Sequence, residues 1–268
     1  MKTQHKDSLF KGIFKIAPNF IQLLEKCKGS KVTLTPDDII PFDLSSETLL
    51  RKRLNDVSFL TKDNRLIILI EHQSTINPNM ALRMFLYYSE LLQLWIKLNN
   101  INLFAGRKIT NLPTPEFYVA YNGTEPLKEN KSIFSLEHKG TSIAVEVEVV
   151  DIHFEKLEDK QPTNALAGYA FFYKIYEEEL KKGVIGQEAF NTAREECIKQ
   201  GYLKGFIEKE DFIMFYKDIF DYDTQLRAEG EARGKAGVLT QMREFQERGF
   251  SAEDIIKILL NNQEEQPV

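Results

Sequence analysis

Segments with apolar residues at helical spacing alternate along the chain with segments at strand spacing. Residues 8–26 repeat their apolar positions every three or four residues, with one interruption at Pro18, which predicts helical structure. Residues 79–98 follow the pair Asn77-Pro78 and are rich in Leu, Met and aromatic side chains, which predicts a long helix. A short helix is predicted over 45–54. Beyond residue 159 the helical spacing continues, with helices predicted at 164–182, 187–200, 208–216, 223–248 and 251–260.

Strand-like runs lie between these helical segments. The runs 57–61 and 65–70 flank the tripeptide Lys62-Asp63-Asn64. Because Asp and Asn tolerate the positive φ of a tight turn, the pattern predicts a β-hairpin. Its second run is apolar on both faces, as is typical of a strand covered from both sides. Two further strands are predicted at 116–121 and 142–152. The order of elements predicts an α/β fold with a mixed β-sheet flanked by helices.

Composition and charge narrow the class of protein. The chain has 268 residues, of which 43% are hydrophobic and 28% charged, as in soluble globular proteins of one to two domains. Residues 161–268 carry 14 Lys and Arg against 20 Asp and Glu, which leaves 21 against 20 for residues 1–160. This balance excludes a basic surface over the whole molecule but not a local basic patch. No segment is long and apolar enough to span a bilayer, and Cys27 and Cys197 have no CxxC partner, so we expect a cytoplasmic protein with no membrane attachment.

Two carboxylates are brought together by the predicted hairpin. If Asp63-Asn64 form a two-residue turn, Asp56 lies directly opposite Glu71 on the same face of neighbouring strands. Opposed Cβ atoms are about 4.5–5.5 Å apart, so the two charges repel. Either one carboxyl group is protonated or a cation lies between them. Oxygen ligands of this kind suit Mg²⁺, so the hairpin predicts a magnesium site.

Neighbouring residues extend this site or argue against it. Gln73 points to the same face as Glu71, whereas the side chain of His72 points away and offers only its backbone carbonyl as a metal ligand. In the alternative interpretation, Asp56 caps a strand and Glu71 forms an ion pair with a residue such as Arg83. A shift of the register by one residue would also remove the site.

Basic residues near the hairpin are candidates for substrate binding. Arg83 and Tyr87 lie one helical turn apart, where they could bind a phosphate group or hold Glu71 in place. The alternative is a surface ion pair for Arg83 and a core position for Tyr87. The cluster Arg51-Lys52-Arg53 is either a contact to the DNA backbone or a solvated face.

Several segments resemble a known family. The spacing D-(x14)-E-x-Q across a hairpin, followed by a long helix, resembles the PD-(D/E)XK nuclease superfamily, with Gln73 at the position of the usual lysine. The segments NDVSFL, LIILIEHQSTINPNMALRMFLYYSELL and LPTPEFYVAYNG resemble one branch of it, the Rpn family of recombination-promoting nucleases, whose members are also labelled transposases. HKDSLFK, EGEARGKAG and GFSAEDIIKILL are similar to the opening and the tail of that family, so the resemblance covers nearly the whole chain.

This resemblance implies both architecture and activity. It implies a restriction-endonuclease-like core over residues 1–160 and a helical C-terminal region over 161–268 with an amphipathic, Glu- and Gly-rich tail. It also implies cleavage of DNA phosphodiester bonds that depends on Mg²⁺, with Mn²⁺ as a substitute, a link to DNA recombination or mobile elements, and a bacterial origin.

The resemblance also assigns roles to individual residues. Carried over by position, Asp56 and Glu71 are metal ligands and Gln73 replaces the lysine. A lysine offsets phosphate charge, whereas glutamine can only orient a water molecule by hydrogen bonding. The superfamily often adds an acid from the first helix, here Asp7 or Glu25. The alternative function is a catalytically inactive nuclease-like fold that binds DNA or protein and forms homo-oligomers through its C-terminal helices.

Overall fold

A mixed sheet of six strands, flanked by helices, forms the centre of the fold. The computed structural model describes residues 4–42, 56–106, 108–128, 130–138, 141–209 and 212. The strands are β1 (Ile39–Pro41), β2 (Val57–Thr61), β3 (Leu66–Gln73), β4 (Thr114–Tyr121), β5 (Lys131–His138) and β6 (Thr141–Asp151). They lie in the order β1-β2-β3-β4-β6-β5, with β3, β4 and β6 parallel and the other pairs antiparallel. The predicted α/β class and mixed sheet are confirmed.

Five α-helices are described, and most match the sequence pattern closely. They are α1 (Gln4–Phe14), α2 (Ala17–Lys28), α3 (Met80–Leu98), α4 (Ala165–Lys181) and α5 (Gly186–Gln200). Pro18 lies in the first turn of α2, where proline needs no hydrogen-bond donor, so the predicted interruption is the start of a second helix. Asn164 caps α4 through its side chain, which accepts hydrogen bonds from the N–H groups of Leu166 and Ala167.

The β2–β3 hairpin has the predicted register with a longer connection. The paired residues are Val57 with Ile70, Ser58 with Leu69, Phe59 with Ile68 and Leu60 with Ile67. The loop consists of residues 62–65, and Asn64 adopts a φ of 59° within it. The longer loop is centred on the same point as the predicted two-residue turn, between Asp63 and Asn64. The pairing of the strands is therefore unchanged.

Two edge strands were not predicted from the sequence. β1 is a three-residue strand and β5 pairs only with β6. Neither segment has a clear alternation of apolar residues. Each is a strand because it pairs with a neighbouring strand, and that context cannot be read from its own sequence. The predicted strands at 116–121 and 142–152 correspond to β4 and β6.

Helices cover both faces of the central strand. Residues 67–72 of β3 are all buried, which confirms the prediction of a strand covered on both sides. On one face Leu69 packs in a core cluster with Met84 of α3. On the other face the ring of Phe20 in α2 lies 4.2 Å from that of Phe59. The two faces therefore have separate apolar cores.

Some predictions concern residues outside the described ranges. These are the helix at 45–54, the basic cluster at 51–53, the helices at 223–248 and 251–260, most of the helix at 208–216, and the Gly-rich tail. The described residues before 214 belong to one compact unit, which includes α4 and α5. The division at residue 160 and oligomerisation through the tail stay predictions. Among the helices that the structure describes, none is long and apolar enough to cross a membrane.

Candidate active site

The end of the hairpin brings the two predicted carboxylates together. Asp56 directly precedes β2 and Glu71 lies near the end of β3; they are only 8% and 3% exposed. The backbone N–H of Asp56 donates to Glu71 Oε1 at 2.8 Å, and the backbone N–H of His72 donates to Asp56 Oδ2 at 2.8 Å. Each carboxylate therefore reaches across to the backbone of the other strand.

Two cationic side chains contact the outer oxygens of this pair. Lys11 Nζ in α1 lies 3.2 Å from Asp56 Oδ1, and Arg83 Nη2 in α3 lies 3.3 Å from Glu71 Oε2. The contact of Arg83 with Glu71 is the one named in the alternative interpretation. Lys11 was missed by sequence reasoning, because only the packing of α1 against the sheet brings it near Asp56. Each acid is thus contacted by a cation from a different helix.

Burial raises the pKa of the Glu71 carboxyl group well above its usual range. The charge of Asp56 adds to this effect, while Arg83, the N–H of Asp56 and Lys11 oppose it. A buried acid whose pKa is raised by desolvation and by a neighbouring acid is typical of functional sites.

Arg83 is held on the Glu71 side by a neighbouring tyrosine. Its Nη2 donates to Tyr87 Oη at 2.9 Å, one helical turn away. Burial lowers the pKa of the Arg83 guanidinium, but the hydroxyl of Tyr87 and the charge of Glu71 outweigh it and raise the pKa overall. The side chain of Arg83 is 40% exposed, whereas Tyr87 is buried. Arg83 can therefore contact a ligand while Tyr87 holds its guanidinium group in place.

Gln73 and His72 point to opposite faces of β3, as strand alternation predicts. Gln73 is half-buried and, within the described part of the chain, its side-chain amide makes no hydrogen bond. His72 is buried on the other face, where its Nε2 lies 2.9 Å from Asn122 Oδ1 and 2.9 Å from Tyr169 Oη. The role of the His72 carbonyl as a metal ligand stays a prediction.

Of the two candidates for a third acid, Glu25 lies away from the pair. Glu25 forms an ion pair with Lys31 at 2.7 Å and lines a separate cleft with Asp159. Asp7 lies in α1, but its side chain is outside the described residues. Among the described residues no group of three or more His, Cys, Asp or Glu side chains could hold a metal ion.

The chemistry of the two acids still fits a hard divalent cation. Mg²⁺ commonly binds one or two carboxylates and keeps several waters. A carboxylate has about four lone-pair sites, and the contacts of Glu71 to the Asp56 N–H and to Arg83 use two of them. The donor set is therefore sufficient for a magnesium ion that keeps part of its water shell.

The chain was compared with known proteins at three levels. No family model matches it, no curated protein matches it, and no solved structure matches it. The resemblance of the segments around Asp56 and Glu71 to the Rpn family therefore stays a prediction.

Proposed function

We propose that this protein is a metal-dependent DNA endonuclease with a restriction-endonuclease-like core, acting in DNA recombination or in mobile elements. The observation that carries the proposal is the pair of buried acids, Asp56 and Glu71, at the end of the central hairpin, with the pKa of Glu71 raised. Burying two adjacent carboxylates costs free energy of folding. A cation bound between them would offset that cost and is the simplest reason for the arrangement.

The surroundings of the pair support an assignment to phosphodiester chemistry. Asp56 and Glu71 would hold Mg²⁺, which would act as a Lewis acid and lower the pKa of a bound water. The crossing hydrogen bonds from the backbone fix the orientation of both carboxylates before a ligand arrives. Arg83, held by Tyr87, would donate to a phosphate oxygen, since a guanidinium group matches phosphate geometry.

Lys11 is the best candidate for the cation that position 73 lacks. Its ammonium group lies 3.2 Å from Asp56 Oδ1, although it comes from α1 instead of β3. The ammonium would offset the charge of a bound phosphate, and the amide of Gln73 would orient the attacking water. In this arrangement Lys11 and Gln73 together take the two roles of the single lysine in the nuclease pattern that the sequence resembles.

A second candidate function is a nuclease-like fold that binds DNA or protein without cleaving it. The observation that favours it is that Lys11 and Arg83 contact one carboxylate each, so the pair is compensated by the protein itself. Calorimetry with Mg²⁺ separates the two functions, because the inactive fold should bind no ion at Asp56.

The direct test is cleavage of a supercoiled plasmid by the full chain, with Mg²⁺, with Mn²⁺ and with EDTA. We expect nicking with either metal, none with EDTA, and loss of nicking in Asp56→Asn. Glu116→Gln is the matched control, because Glu116 is a carboxylate on β4 that also forms an ion pair, with Lys28 at 2.8 Å. Nicking by wild type and Asp56→Asn at equal rates would refute the proposed site.

A further inference from the structure

A buried polar cluster lies on the face of the sheet opposite Glu71. His72 of β3, Asn122 just after β4 and Tyr169 of α4 are all buried, although they are separated by 50 and 97 positions in the sequence. His72 Nε2 lies 2.9 Å from both Asn122 Oδ1 and Tyr169 Oη. Burying polar groups is costly unless they are hydrogen-bonded, and these contacts offset part of that cost for all three side chains.

The cluster lies where the central strand loses one neighbour. The pairing of β2 with β3 ends at Val57 and Ile70, whereas β4 pairs with β3 as far as Gln73. On the β2 side, the segment after Ile70 is tied by the contacts of Asp56, including the bond from the His72 N–H to Asp56 Oδ2 at 2.8 Å. The orientation of this N–H therefore depends on what holds the end of β3.

Asn122 holds this strand end in two ways. Its side chain contacts the His72 ring, and its backbone N–H donates to the carbonyl of Gln73 at 3.0 Å. The next residue, Gly123, lies so close to β3 that an added Cβ would be 2.3 Å from the carbonyl oxygen of Ser74. The turn after β4 is thus packed directly against the end of β3.

The His72 ring also links the cluster to Lys11. The ring of Phe10 lies 5.0 Å from that of His72 and 5.4 Å from that of Tyr169. Lys11, the next residue of α1, contacts Asp56 Oδ1. Both oxygens of Asp56 are therefore contacted by groups that the cluster holds: Oδ2 by the His72 N–H, and Oδ1 by the helix that packs on the His72 ring.

We propose that His72 is a positioning residue, which, through Asn122 and Tyr169, fixes the Asp56 carboxylate in the orientation that binds a divalent cation. The inference rests on the proposed function for the ion and on the contacts above for the orientation. It assigns no chemical step to His72, whose side chain lies on the far side of the strand.

The test uses variants that remove one hydrogen-bonding group without emptying the core. Tyr169→Phe keeps the ring beside Phe10 and removes the hydroxyl, and Asn122→Ser shortens the side chain that contacts the His72 ring. Tyr202→Phe is the matched control, because the Tyr202 hydroxyl donates to the carbonyl of Lys160 at 2.7 Å, away from the hairpin. Circular dichroism and thermal melting first establish that each full-length variant is folded.

Two readouts separate positioning from general stability. Hydrogen exchange of the His72 amide, measured without metal, reports its bond to Asp56. We expect faster exchange in Tyr169→Phe and Asn122→Ser, and wild-type exchange in Tyr202→Phe. Calorimetry with Mn²⁺ should show affinity lowered about 10-fold in the first two variants, as is typical for groups that orient a metal ligand, with no change in the control.

The outcomes distinguish this inference from the proposed function. If wild type binds no Mn²⁺ but the His72 amide loses protection in Tyr169→Phe, the proposed function fails and the positioning of Asp56 stands. If the His72 amide and the Mn²⁺ affinity change no more in Tyr169→Phe and Asn122→Ser than in Tyr202→Phe, the cluster is only part of the core and the inference is wrong.

Discussion

The two ends of the β2–β3 hairpin both carry carboxylates, and their surroundings shift the pKa values in opposite directions. At the turn, Asp63 is exposed, and hydrogen bonds from the Thr61 hydroxyl and the Arg65 N–H lower its pKa. At the other end, burial and the charge of Asp56 raise the pKa of Glu71. Backbone N–H donors are present at both ends, so the difference lies in access to water and in the second acid.

This comparison separates a structural carboxylate from a candidate functional one. Ionised Asp63 favours the folded turn, because it accepts hydrogen bonds from Thr61 and Arg65 while its charge stays exposed to water. Glu71 is ionised only against the cost of burial, although Arg83 lowers that cost. The burial of Glu71 opposes folding, whereas the hydrogen bonds of Asp63 favour it. A residue kept at a cost to stability is the better candidate for a function, so Glu71 is the more informative of the two.

The largest expected effect is on cleavage. Glu71→Gln should lower the rate of plasmid nicking by at least about 10²-fold, because it removes charge where the metal and the phosphate would meet. The double variant with Asp56→Asn should be no slower than either single variant, since the two acids act as one unit. Asp63→Asn, at the turn, should cut like wild type. Equal losses in Glu71→Gln and Asp63→Asn would mean that both act through folding.

A smaller effect is expected from the cation of α1. Lys11→Met should lower the nicking rate about 10-fold, within the range for a single charged group near a reacting phosphate. Adding Gln73→Lys to Lys11→Met should restore part of the lost rate, because it returns a cation to the same pair from β3. Lys31→Met, which removes the partner of Glu25, serves as the control. An unchanged rate in Lys11→Met would leave Lys11 only as a structural partner of Asp56.

The pH dependence of stability should differ between the two ends. With metal removed, the favourable contribution of Glu71 is complete below the ordinary glutamate pKa of about 4.3 and is lost as pH rises through the raised pKa of the folded state. The free energy of unfolding of Glu71→Gln should therefore rise relative to wild type between pH 5 and pH 8. Asp63 has a lowered pKa, so its contribution is lost only as pH falls below about 3.9.

Urea unfolding in EDTA at pH 5 and pH 8 measures these differences. The difference between Asp63→Asn and wild type should be the same at both pH values. If Glu71→Gln is destabilised by the same amount at pH 5 and at pH 8, its ion pair with Arg83 dominates, and Glu71 is a structural residue.

The smallest effect is expected at the turn itself. Asn64 has a φ of 59° and accepts a hydrogen bond from Trp95 Nε1 at 3.3 Å. Asn64→Ala should lower the free energy of unfolding by about 1–2 kcal/mol, because the short polar side chain of Asn tolerates the left-handed conformation and that of Ala does not. Asn64→Gly should lower it less, and neither variant should change Mn²⁺ affinity. A weaker Mn²⁺ affinity in Asn64→Gly would show that the two ends of the hairpin are coupled.

The meeting of Asp56 and Glu71 could be predicted from the sequence because it depends on local geometry. The register follows from where the turn is centred, and a loop two residues longer than expected leaves it unchanged. The alternation along β3 also separates His72 from Gln73 correctly. Such features need only neighbouring strands of one hairpin.

The partners of the pair could not be predicted, because they depend on tertiary packing. Lys11 belongs to a helix 45 positions before Asp56, and nothing in its local pattern indicates the contact. The cluster of His72, Asn122 and Tyr169 joins three elements that are distant in sequence. The edge strand β5 was missed for a related reason, since its pairing with β6 determines its structure more than its own sequence does.

The central claim is that Asp56 and Glu71 hold one divalent cation, and calorimetric titration of the full chain with Mn²⁺ tests it most directly. The claim predicts binding of about one ion per chain to wild type and to Asp63→Asn, and no binding at that site in Glu71→Gln. Equal binding by wild type and Glu71→Gln, or no binding by wild type, would contradict it.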